Sequence, residues 1–169
     1  MRSPLLLPLL FTLAAEGIWH SPGYGYVLNV DTKHVQIYDI SAAGCVEADK
    51  HTREAFESLY GKLTEGMLDR YPTRDALNKL PSLPEPCRKP LRTKDPLINF
   101  NVFASTLEQH YPHFKGRSTD GQALLAKGRQ RVQKGDDLFD TITEILKAIG
   151  DGHLAIGAGK RSYEGAAID

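Results

Sequence analysis

Asp136-Asp137-Leu138-Phe139-Asp140-Thr141-Ile142-Thr143-Glu144-Ile145-Leu146-Lys147-Ala148-Ile149-Gly150-Asp151-Gly152-His153 reads as one helix with both ends marked. Asp136 or Asp137 supplies a carboxylate for the orphan amides of the first turn. Leu138, Ile142, Ile145, Leu146 and Ile149 fall on one helical face, and Gly150 provides the stop. Asp151-Gly152-His153 then reads as a tight turn. Asp151 can bond nearby backbone amides, Gly152 accepts a positive φ, and His153 opens a short strand running to Ile156. A catalytic Asp–His pair is the competing interpretation, since histidine is the usual general base near neutral pH. No nucleophile is recognisable beside it, so the structural turn is preferred.

Two further helices precede this one. Leu97, Phe100, Phe103, Leu107 and Tyr111 form an apolar stripe, which Pro112 ends near Tyr111. Thr119 with Gln122 forms a capping pair for the next helix, whose thin apolar face of Leu124, Leu125 and Val132 is interrupted by Gly128. Upstream, Pro81, Pro84, Pro86, Pro90 and Pro96 make 81–96 a linker in which no regular element is expected. The N-terminal half is richer in strand signals. Gly17 to Tyr26 has the composition of turns leading into a strand. Tyr24, Tyr26, Leu28 and Val30 alternate, and Val35, Ile37, Tyr38 and Ile40 follow a short polar Asp31-Thr32-Lys33 turn, giving a β-hairpin. Gly44-Cys45-Val46 opens a third strand. Residues 50–80 are open: Ala55, Phe56, Leu59, Leu63 and Met67 favour a helix, while Gly61 and Gly66 weaken it.

The predicted class is therefore α+β: a small antiparallel β-meander, a proline-rich linker and a C-terminal three-helix bundle with a terminal strand. The segments are 1–15 as an export signal, 16–80 β-rich, 81–96 linker, 97–156 helical, and 157–169 the start of an incomplete region. Met1-Arg2, the apolar Leu5–Leu13 stretch and Thr12-Leu13-Ala14-Ala15 before Glu16 have the form of a secretory signal. That stretch falls well short of the about 20 apolar residues that span a bilayer. A periplasmic or extracellular location is expected. With 21 basic and 21 acidic residues in 169, a nucleic-acid partner is not expected, and the Lys127, Arg129, Arg131 and Lys134 cluster reads as a solvated face.

Candidate sites are few. Gly-x-Ser-x-Gly and Ser-x-x-Lys are absent, and Ser21 lies in a Ser-Pro-Gly turn signal. No catalytic residue, cofactor site or metal site is assigned. His110 and His113 lack further ligands and read as exposed polar residues at a helix end. Cys45 and Cys87 permit one disulfide in an exported chain; two buried free thiols are the alternative.

A family resemblance joins several of these pieces. Asn99-Phe100 with Phe103, His110-Tyr111-x-x-Phe114-x-x-Arg117, a segment with Arg131 and Leu138, and Ile145-Leu146-x-x-Ile149-x-Asp151-Gly152-His153 resemble the helical region preceding the core of tail-specific serine peptidases. That family includes C-terminal processing and tricorn-type proteases. Gly17-Ile18-Trp19 with Gly23-Tyr24-Gly25, Tyr38-Asp39-Ile40 and Leu83-Pro84-x-Pro86-Cys87 are similar to the β-region and linker of some exported members. Gly121 stands where such members carry an aromatic residue, and 50–80 departs from the pattern. The resemblance implies a non-catalytic leading region that scaffolds the protease core or covers substrate access. Peptide or protein substrate would then be met through a core outside this chain. A stand-alone exported module that binds a peptide or protein is the alternative, and the sequence leaves the oligomeric state open.

Overall fold

The computed structural model describes residues 15–70, 72–111, 114 and 120–165. The expected export signal therefore lies outside the described residues, apart from Ala15. The same holds for His113, Arg117 and Thr119, and the helix cap expected at Thr119 is supplied by Asp120 instead. Among the described residues the architecture is mixed α+β, with an N-terminal antiparallel meander, five helices and a small C-terminal strand pair. The chain divides into two compact units.

The first unit draws on Met1–Pro22, Tyr26–Tyr38 and Ala48–Pro84. Its strands are β1 (Gly17–Ser21), β2 (Tyr26–Val30), β3 (His34–Ser41) and β4 (Gly44–Thr52), followed by helix α1 (Arg53–Tyr60). Strands β5 (Lys62–Thr64), β6 (Met67–Arg70), β7 (Thr73–Ala76) and β8 (Asn78–Leu80) complete it. The main sheet has the order β4-β3-β2-β1-β8, and β5-β6-β7 form a second sheet. The far end of the β3–β4 hairpin, 39–47, belongs to the second unit.

The glycine-rich start is thus a strand rather than a run of turns. Trp19 explains the difference. It pairs with Leu28 on one side and Lys79 on the other, and its side chain is buried. A partner 60 positions away in sequence supplies the pairing that local composition hides. The turn begins only after Ser21, and Tyr24 is 62 % exposed rather than part of the strand face. In 50–80 the helical pattern holds only over Arg53–Tyr60, whereas Leu63 and Met67 of the same apolar spacing lie in β5 and β6. Thr52 caps α1 by accepting from the Ala55 amide, and Gly61 ends it at φ 100°. A β-carbon there would meet the Asp69 carbonyl at 2.3 Å, so glycine fixes the switch from helix to sheet. Trp19, Leu28, Val35, Phe56, Leu63 and Leu68 are the heart of this unit's core.

The second unit holds Gly23–Gly25, Asp39–Glu47 and Glu85–Asp169. Its elements are α2 (Glu85–Arg88), α3 (Pro96–His110), α4 (Gly121–Gln133), α5 (Leu138–Ile149), β9 (Ala155–Ala158) and β10 (Arg161–Glu164). The expectation that 81–96 holds no regular element is corrected by α2. Pro86 stands in the first turn of α2, where the missing proline N–H would have no intrahelical partner anyway.

Each long helix starts on an aspartate. Asp95 accepts from the Leu97 and Ile98 amides, Asp120 from Ala123, and Asp137 from Asp140. Gly150 closes α5 in the left-handed region, at φ 65° and ψ 44°. Phe100, Leu107, Leu125, Val132, Ile142 and Leu146 share one apolar core. Gly128 is central to it. A β-carbon there would lie 2.6 Å from Ile145 and 2.8 Å from Phe100, so the break in the α4 stripe makes room for side chains of α5 and α3 packed against it. Gly121 has a similar reason: the Phe114 ring occupies the space a side chain would need.

One expectation about the C-terminal end is revised. His153 belongs to the turn, and the strand starts at Ala155. Residues 157–164, which show no apolar periodicity in the sequence, complete a ribbon in which β9 and β10 pair antiparallel around Gly159. Arg161 secures it by ion pairs to Asp137 and Asp140 and by stacking 4.2 Å from the Phe139 ring centre. Arg-Ser-Tyr-Glu carries no apolar alternation, so its strand character comes from these contacts.

Candidate functional site

A buried polar cluster of the second unit is built on Asp151. Helix α5 ends at Gly150 and delivers Asp151 into the interior, where its side chain is 7 % exposed. Its Oδ1 accepts from the His153 backbone N–H at 2.9 Å and lies 3.0 Å from His153 Nδ1. Its Oδ2 accepts from the Tyr111 hydroxyl. A carboxylate accepting on both oxygens fixes the proton of His153 on Nδ1. The ring is held at one edge while the side chain as a whole is 98 % exposed, so Nε2 is presented to solvent. Chemically this is an oriented imidazole, the arrangement that makes a base when a nucleophile lies in reach. Among the described residues no serine or cysteine stands in that relation. Asp151, Gly152 and His153 form a turn, and Tyr111, forty residues away, is the member sequence reasoning missed.

Tyr111 also borders a cleft of about 440 Å³. Val102, Phe103 and Leu107 of α3, with Leu146 of α5, make its apolar walls. Leu154, Ala155 and Ile156 form a further side, and Asp39 and Val46 of the hairpin tip enter it as well. The tip is firmly held within this unit. The Ala42 amide donates to Gln109 Oε1 at 3.1 Å and the Ala43 amide to Ser105 Oγ at 3.3 Å. Arg92 grips both oxygens of Glu47 at 2.8 and 2.7 Å.

His110 is not the exposed helix-end residue expected from its sequence. It is half-buried and lines the cleft, and its Nε2 donates to the Ile40 carbonyl at 3.1 Å. Gly25 allows this, because a β-carbon there would come within 2.3 Å of the imidazole. Asp39 is exposed as a residue, yet its carboxyl is crowded enough that desolvation raises its pKa, with His110 opposing the rise.

Cys45 and Cys87 form a disulfide with Cα atoms 5.0 Å apart, and both are buried. It joins β4 to α2, beside the Leu91 amide bond to the Cys45 carbonyl at 2.7 Å. No group of metal-binding side chains occurs among the described residues, and no described helix is long and apolar enough to cross a membrane.

Other sequence candidates have structural roles. Ser21 is buried at 2 % exposure in β1, opposite Tyr26. Arg131 pairs with Asp136 at 2.8 Å and with Glu144, bonds that raise its pKa and lower that of Glu144. Arg129 bonds Asn101 at 3.0 Å. Half of the basic cluster thus ties helices and loops together rather than forming a free cationic stripe.

No family model, curated protein or solved structure matches this chain.

Proposed function

We propose that this chain is the non-catalytic leading region of an exported serine protease of the tail-specific class, scaffolding a core or covering access to it. On this reading α3, α4 and α5 are a three-helix bundle behind a proline-rich linker, and the ribbon after it faces the core. The observation that carries the proposal is the buried Asp151 carboxylate, which locks the turn between α5 and β9 and holds the His153 ring outward. The motif around it is the strongest part of the family resemblance. The buried Cys45–Cys87 disulfide supports an oxidising, periplasmic or extracellular setting. Substrate would reach the protein through the core, and nucleic acid is not a partner.

The test is a peptidase assay on the purified chain with an unstructured protein substrate, beside labelling with a serine-reactive phosphonate probe. Neither turnover nor labelling is expected. Turnover that survives purification and vanishes in Ser21→Ala would reject a non-catalytic role. Recovery of the chain from the periplasm or medium, with its N-terminus read by mass spectrometry, tests export.

The cleft favours a second reading, a stand-alone exported module that binds a peptide or protein. Its apolar walls and few polar groups have the composition of a recognition site.

A further inference from the structure

The β9–β10 ribbon has an open side. The Gly165 amide donates to the Leu154 carbonyl at 2.9 Å. Backbone groups of an antiparallel strand alternate between its two edges. Leu154, Ile156 and Ala158 therefore turn theirs toward β10, and Ala155 and Gly157 turn theirs away. Among the described residues no strand pairs with that second edge. An unpaired edge is a template for another extended chain.

This edge adjoins the cleft. Leu154, Ala155 and Ile156 all line it, so a strand laid along β9 has apolar space for its side chains against Phe103 and Leu146. The cleft also contains a carboxylate. Asp39 makes no ion pair with a lysine or arginine among the described residues, and desolvation raises its pKa against the opposing effect of nearby His110.

We propose that β9 and the adjoining cleft bind an extended apolar peptide bearing one lysine or arginine, added as a third strand of the ribbon with its cation at Asp39. The proposal deepens the binding-module reading and rests on it. Main-chain bonds to Ala155 and Gly157 give affinity, the apolar walls select alternate side chains, and Asp39 selects charge. The four residues of β9 offer about 13 Å of edge, which suits a short segment.

The test is fluorescence anisotropy with the full chain and a labelled ten-residue peptide of alternating valine and threonine with one central lysine. Saturable binding is expected. Replacing the lysine by glutamate is expected to weaken it about tenfold, and Asp39→Asn to abolish that preference. N-methylation of alternate peptide amides, which leaves the protein untouched, is expected to remove binding. Binding that ignores both N-methylation and Asp39→Asn overturns this site while leaving a binding module standing. No binding at millimolar peptide overturns both. Concentration-dependent dimerisation that competes with the peptide assigns the edge to a second copy and also overturns the proposal. Loss of the module reading leaves the protease-region reading to its own assay.

Discussion

The Tyr26 hydroxyl donates to Asp75 Oδ2 across 3.0 Å, linking two strands that lie in different sheets. Arg70 completes the group at 3.2 Å from the same oxygen. A polar triad therefore sits where two sheets of the first unit meet, and both Tyr26 and Asp75 are buried.

Burial, reinforced by the Asp75 carboxylate, pushes the Tyr26 phenol up to about 12. The unfolded value is about 10. A folded pKa above the unfolded one contributes stability that is complete below about pH 10 and is lost as pH rises through about 12. Spectrophotometric titration should show a late tyrosinate that is absent in Tyr26→Phe. That variant should also lose about 1–2 kcal/mol near neutral pH, because Asp75 keeps Arg70 but loses a buried donor. Urea denaturation measures the loss.

Gly128→Ala sets two effects against each other. Removing a glycine from a helix interior is worth about 1 kcal/mol. The new methyl, however, would stand 2.6 Å from Ile145 and 2.8 Å from Phe100, side chains of two different helices. Overpacking of this kind costs about 1–3 kcal/mol. Net destabilisation is expected, visible as a lower denaturation midpoint with an unchanged slope.

Asp151 and His153 should differ sharply. Asp151→Ala leaves the Tyr111 hydroxyl and the His153 amide without their acceptor in a partly buried site, a loss of about 2 kcal/mol. His153→Ala removes an exposed ring and should leave the denaturation midpoint nearly unchanged. Equal effects in the two variants would contradict this division of labour.

The histidine's position shows how far sequence reading reaches. Asp151 and His153 are two residues apart, so their turn is written in local chemistry, as are the aspartate caps and the α5 stripe. The β-meander is also legible, because β2 and β3 alternate and are joined by a short polar turn. What escaped depends on distant partners. Strand β1 needs β8, Tyr111 needs Asp151, and His110 needs Gly25 and Ile40. Tyr111 looked like the last residue of an apolar stripe, and nothing near it marks its hydroxyl as a donor to a buried acid. The cleft joins 39–46 to helices beginning fifty residues later, and no local pattern encodes that meeting.

Reduction of the disulfide should cost about 4 kcal/mol for a separation of 42 residues by the chain-entropy model. Cys45→Ser with Cys87→Ser should lower thermal stability, and the wild-type chain should carry no thiol that reacts with alkylating agents until it is denatured and reduced. Alkylation of either cysteine in the native, unreduced protein would contradict the bond.

Every peptide bond between Cys45 and Cys87 lies inside a covalent ring that contains all of α1 and β5 through β8. A protease that nicks the backbone anywhere in this ring adds one water and releases no fragment. The two pieces stay on one molecule, able to re-form their contacts without finding each other by diffusion. Damage in this stretch is thus a local event, whereas a single cut after Cys87 sheds everything beyond it unless packing alone retains it.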